Sequence, residues 1–213
     1  THTQTHTHTN TKKKKKKKTL KSKKYLNESD ITRLEIKYRS ELKRMLSLPE
    51  HTRSSVVYLV FGQLPAEAIR DIEILGAFGQ LALCPEDLQY ITDIVKNNLE
   101  DYDSDFPGWS GLVRRTFAKY SIPADPLQYM VNPWLPHRWR KNCRDIIVQH
   151  WDTKLRADVQ GRLSNKYLDV SELSTDKIHP VLNSAGLDSQ SSTKATVVMW
   201  FLLGVFHSTS MLY

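Results

Sequence analysis

The chain has 213 residues, 31 of them basic and 23 acidic, for a formal charge of +8. That length suits one domain with a sizeable core, and two cysteines without a signal peptide exclude a disulfide framework and imply a reducing compartment. The charge is not spread: ten lysines and no acid fall within residues 1–24, leaving 21 basic and 23 acidic residues for the remainder, which excludes a body coated in positive charge.

Residues 1–26 alternate Thr and His (His2, His6, His8) and then run through seven lysines at 12–18, with no apolar residue before Leu20. Nothing here can offset the entropy of ordering, so a disordered low-complexity tail is expected. Its readings are translated simple-sequence DNA, in which an AC repeat encodes Thr-His and an A-tract encodes lysine, or a nuclear-localisation or nucleic-acid tail. The three histidines lack the surroundings that orient metal ligands.

Residues 27–160 read as a helical core domain. Ile31, Leu34, Tyr38, Leu42, Met45 and Leu46 recur at helical spacing between Ser29, a candidate N-cap, and Pro49. Val56 to Phe61 form a short apolar helix, capped by Ser54 or Ser55 and closed by Gly62. Pro65 suits the first position of a third helix with Ile69, Ile72, Leu75 and Phe78 inward. Connections this short make the three helices neighbours.

A helix from Pro85 carries Leu88, Ile91, Ile94, Val95 and Leu99 into an acidic run. Asp101, Asp103 and Asp105 match the first positions of a calcium loop, but Phe106 replaces its glycine and Leu112 its glutamate, so the loop fails. Tyr102-Asp103-Ser104-Asp105 likewise lacks the adjacent carboxylates of a two-metal polymerase site. The next helix places Trp109, Leu112, Val113, Phe117 and Tyr120 inward and Arg114, Arg115 and Lys119 outward. Pro123, Pro126, Pro133 and Pro136 break the stretch from 121 to 136 into short pieces.

After Pro136 a long helix aligns Trp139, Cys143, Ile146, Ile147, His150, Trp151 and Leu155. Its opening holds Arg138, Trp139, Arg140, Lys141 and Arg144, the densest basic and aromatic cluster outside the tail. Guanidinium groups pair with phosphate and an indole stacks on an unpaired base, so these five residues are the candidate nucleic-acid contacts. The competing reading makes Trp139 and Trp151 core and the cations a solvated face. Cys143 and His150 lie about 10 Å apart along a helix axis, too far to share a zinc ion. No cofactor or metal site is expected.

Residues 161–213 form a polar, loop-rich segment, with Tyr167, Leu168, His179 and Pro180 as its packed points, ending in an apolar helix. The run from Val197 to Phe206 is apolar on all sides, and its ten residues are half of what a bilayer needs. Its readings are a buried helix, a terminus left by the loss of an ancestral reading frame, or a tail anchor.

Leu34-Glu35, Tyr38-Arg39, Leu42-Lys43, Ser47-Leu48-Pro49, Val57-Tyr58-Leu59, Gly62, Pro65, Glu67, Leu75 and Phe78-Gly79, with Trp109, Tyr120 to Pro123, Trp139, Trp151, Tyr167-Leu168 and His179-Pro180 further along, carry a resemblance. In order and spacing they resemble the region after the polymerase in animal non-LTR (LINE-type) retrotransposon proteins, over roughly residues 29 to 195. Tyr38-Arg39 stands where that family usually has His-Arg. The resemblance implies a fragment without the polymerase Tyr-x-Asp-Asp and the Cys/His cluster that flank this region, non-catalytic alone, with RNA or DNA as partner and a polymerase domain as neighbour in the intact parent. The residues carry no phosphate-binding glycine loop, nucleophile elbow, zinc signature or paired carboxylates, so no enzymatic activity and no small-molecule substrate are expected. The expectation is an all-α, irregular multi-helix domain of about six to eight helices, inside the cell in nucleus or cytoplasm. A helical protein-interaction module is the alternative.

Overall fold

Acidic Glu28 and Asp30 open the first helix, α1 (Glu28–Met45), and Lys43 and Arg44 close it, complementing the helix dipole at both ends. The computed structural model describes residues 28–85, 88–101, 108–160, 167–185 and 188–205. The tail expected to be disordered lies outside them, as do Tyr102, Asp103 and Asp105 of the acidic run. Ser29 is not an N-cap, because the helix already includes it. Ile31, Leu42 and Leu46 are buried, whereas Leu34 and Met45 face solvent. Helix α2 (Ser54–Phe61) is only about 12 Å long at 1.5 Å per residue and cannot cover the whole stripe of α1.

Helix α2 is the centre of the molecule, with Val56, Val57, Tyr58, Leu59 and Val60 all buried. Arg53 holds its N-cap position, so neither serine caps it, and the Ser55 hydroxyl instead donates to Asp158. Gly62 closes it with φ +61°, as the sequence implies. A side chain is excluded there also by space, since a β-carbon would lie 2.8 Å from the Ile178 nitrogen.

Helix α3 (Ala66–Leu81) starts one residue later than expected, with Pro65 as its N-cap. The cap is supplied by α1, where Glu35 accepts from the Ala66 N–H at 2.7 Å and from the Tyr58 hydroxyl. Ile72, Ile74, Leu75 and Phe78 point inward, but Ile69 faces solvent and Asp71 takes an inward position. Helices α4 (Gln89–Asp101), α5 (Trp109–Lys119) and α6 (Pro126–Val131) wrap one side, and α7 (Pro136–Val159) crosses α3 and α2. Two side chains of α5 expected outward turn in: Arg114 donates to the Leu99 carbonyl, closing the end of α4, and Lys119 reaches Asp71. Ile94 of α4, expected inward, is exposed, and Thr92 fills the interior instead, its hydroxyl donating to the Leu81 carbonyl.

The remaining chain packs on the same core through Leu168, Leu173, Met199 and Leu203. A 3-10 turn at Val170–Glu172 leads to α8 (Pro180–Asn183) and α9 (Ser189–Leu202). The Trp200 indole donates to the Leu46 carbonyl at 2.6 Å, pinning α9 to the end of α1. Helix α9 is one-sided, with Ala195 and Met199 inward and Val197, Val198 and Phe201 exposed, so it is not the buried helix expected. Among the described residues no helix is long and apolar enough to cross a membrane. The fold is all-α; nine α-helices and no strand occur among the described residues, the count exceeding six to eight because the short proline-led pieces α6 and α8 each close into helix.

His179 ties this C-terminal part to α2. Its N–H donates to the Val60 carbonyl at 2.9 Å, its Nδ1 accepts from the Val181 N–H at 3.3 Å, and its Nε2 lies 3.5 Å from Glu172. Burial holds the imidazole below its ordinary value, against the pull of Glu172. The folded state therefore disfavours the proton that the unfolded chain binds below about pH 6.5, and stability falls as pH drops through that value. His150, lowered by burial and by Lys154 and Lys119, contributes with the same sign. Urea midpoints at pH 7.5 and 5.5 are expected to fall more for the native sequence than for His179→Gln, and equal falls would remove His179 from this role.

Candidate nucleic-acid interface

Pro133 and Pro136 bracket Trp134 and Leu135, and Pro136 sets the first turn of α7. From there Trp139, Cys143, Ile147, Trp151, Leu155 and Val159 are buried at a spacing of four. The opposite side of the first turns presents Arg138, Lys141 and Arg144 to solvent. None of the three makes an ion pair among the described residues, and the Arg138 guanidinium lies 5.6 Å from the centre of the Trp134 ring. The acid on this stretch is Asp145, also exposed.

Arg140 is engaged elsewhere. Its guanidinium donates to Glu73 of α3 at 2.6 Å, with its stem packed over Gly76. Half of each side chain remains exposed, so the pair is a weak tie that phosphate can contest.

Trp139 does not belong to the surface. It is 1% exposed, its indole donates to the Leu75 carbonyl at 2.8 Å, and its ring lies among Phe78, Phe117 and Tyr129. A ring enclosed by four helices cannot reach a base, and the expectation that Trp139 stacks on nucleic acid is corrected accordingly. The exposed indole is Trp134, at 43%. Its carbonyl accepts from the Tyr129 hydroxyl at 3.3 Å, and its ring meets Trp139 edge-on at 6.1 Å. The signal in the sequence was its position between two prolines, outside any helical period.

Between α3, α5 and the later turns of α7 lies a polar network that periodicity did not reveal. The Asp71 carboxylate, 1% exposed, accepts from Arg70 at 2.8 and 2.9 Å, from Lys119 at 2.8 Å and from the Tyr120 hydroxyl at 2.8 Å. The Tyr120 oxygen in turn accepts from the Trp151 indole at 2.9 Å. Burial pulls the Lys119 ammonium down, but its hydrogen bonds to Asp71 and Glu67 outweigh this and hold it above its ordinary value. Burial and the charge of Asp71 push the Tyr120 phenol up to about 12.

An open cleft of about 670 Å³ lies between α1, α2, α3 and α7. Much of its charge is engaged internally: Glu35 caps α3, Asp158 accepts from Arg53 and Ser55, and Arg70 holds Asp71. Among the described residues no group of three or more His, Cys, Asp and Glu is placed to hold a metal ion. Cys143 is buried on the inner side of α7 with its thiol pushed up to about 12, which leaves little thiolate for nucleophilic chemistry at neutral pH.

The chain matches no family model, no curated protein and no solved structure.

Proposed function

We propose that this helical body is a nucleic-acid-positioning region, of the kind that follows the polymerase in non-LTR retrotransposon reverse transcriptases, and that it is inert as a catalyst by itself. The observation that carries the reading is the row of Arg138, Lys141 and Arg144, three exposed cations without ion pairs on a rigid helix of a nearly neutral body. A phosphate backbone supplies the counter-charge they lack, while α7, buried along its other side, holds them in register. RNA or DNA is the partner, in the nucleus or cytoplasm, and neither a cofactor nor a small substrate is invoked.

The test uses the full chain with the seven lysines at 12–18 changed to serine, which separates this surface from the tail. Binding of labelled structured RNA and single-stranded DNA is followed from 50 to 300 mM salt, beside a variant in which Arg138, Lys141 and Arg144 are also alanine. Three neutralised phosphates predict a log–log salt slope of about −2 on a single strand, lost in the triple variant. A slope unchanged by the three substitutions, or no binding without the lysines, would overturn the assignment.

Val131 at 79% and Leu135 at 63% exposure come just before the cations in the chain and favour a second reading, in which this corner docks another protein domain. Retained binding to a neighbouring domain by the triple variant would select it.

A further inference from the structure

We infer that Trp134 is a stacking platform for an unpaired base, so that this surface selects single-stranded over duplex nucleic acid; the inference rests on the nucleic-acid reading of Arg138, Lys141 and Arg144. Of the five tryptophans, 139 and 151 are buried and 109 and 200 half-buried, leaving Trp134 the most exposed. It is also held. Pro133 fixes the backbone just before it and Pro136 restricts Leu135 just after it, its carbonyl is bonded by Tyr129, and the edge contact with Trp139 limits its swing. A held indole loses little freedom when a second ring covers it, and every base has a face to offer.

The cations are placed to complete the contact. Arg138 lies over the ring, and Lys141 and Arg144 come at successive turns, so the three cover about 9 Å of helix axis. That length matches two to three phosphates of a strand. A base on Trp134 brings its own phosphate to Arg138 and the next ones to Lys141 and Arg144. In a duplex the base faces are already stacked on one another, so none is open to the indole without unstacking. The ring supplies the discrimination and the cations supply the charge.

The experiment measures binding of a twelve-nucleotide single strand, its duplex and inorganic polyphosphate to the full chain with residues 12–18 as serine. Trp134→Ala is expected to weaken the single strand about 5- to 150-fold, the range for one lost stack, with the salt slope and duplex affinity unchanged. Trp134→Phe is expected to retain most of the affinity, which separates stacking from any loss of local structure. Single-strand binding that survives Trp134→Ala while the triple cation variant loses it would overturn the stacking role and leave the nucleic-acid reading intact. Polyphosphate bound as tightly as the oligonucleotide and indifferent to Trp134 would do the same. Failure of every strand and of polyphosphate to bind would overturn both.

Discussion

Trp139→Ala is expected to lower stability by about 3–5 kcal/mol, a large share of the roughly 5–15 kcal/mol of a typical domain. The indole is the hub of an aromatic cluster, with ring centres 3.9 Å from Tyr129, 5.8 Å from Phe117 and 6.3 Å from Phe78. Truncation opens a cavity among rings that helices α3, α5, α6 and α7 hold apart, so collapse is limited. Gly79→Ala attacks the same contact from the other side: its β-carbon would meet the indole directly, 2.7 Å from Nε1. Overpacking of that kind costs about 1–3 kcal/mol, offset in part by the better helix propensity of alanine. The two substitutions are expected to be strongly non-additive, because the cavity left by Trp139→Ala accepts the new methyl group. Urea unfolding monitored by circular dichroism gives all four corners of the cycle. Additive costs, or a Trp139→Ala cost below about 1 kcal/mol, would contradict this packing.

Asp71→Ala is expected to cost about 3 kcal/mol, the low end for breaking a buried ion pair, because Lys119 keeps Glu67 at 2.7 Å and Arg70 and Lys119 retain some water. Removing the carboxylate leaves the Arg70 and Lys119 cations undercompensated and the Tyr120 hydroxyl without its acceptor. Lys119→Met is expected to cost about 1 kcal/mol, since Asp71 keeps Arg70 and Tyr120. The network also sets an alkaline limit. Tyr120 and Lys119 both hold their protons more tightly in the fold than in the unfolded chain, where they titrate near 10 and 10.5. Above about pH 10 the unfolded state therefore binds fewer protons, and stability falls as pH rises through the folded value of about 12 for Tyr120. In Asp71→Ala that loss between pH 9.5 and 11.5 is expected to be shallower, and an identical slope would show that the network does not carry it.

Of the candidate site, the exposure of the charged side chains is legible in the sequence. Arg138, Lys141 and Arg144 could be read as exposed because they fall between the inward positions of a long helical period. Trp139 stands in the sequence both as a candidate contact and as core, and its burial supports the core reading. Trp139 falls on the inward helical period and Trp134 between two prolines, but the depth of Trp139 depends on the groove that Gly79 leaves in α3, sixty residues earlier. Arg140 is likewise indistinguishable from its neighbours until Glu73 is placed beside it.

The helical class, the start of α7 at Pro136, the end of α2 at Gly62 and the concentration of charge in the first 24 residues are legible along the chain, because each is set by near neighbours. That Leu34, Ile69 and Ile94 face water while Asp71, Thr92 and Lys119 turn inward follows from how the helices pack. A helical period states which residues share a face. Whether that face is covered depends on the length of the partner helix and on which distant polar group completes a hydrogen bond, and both come from contacts far apart in the chain.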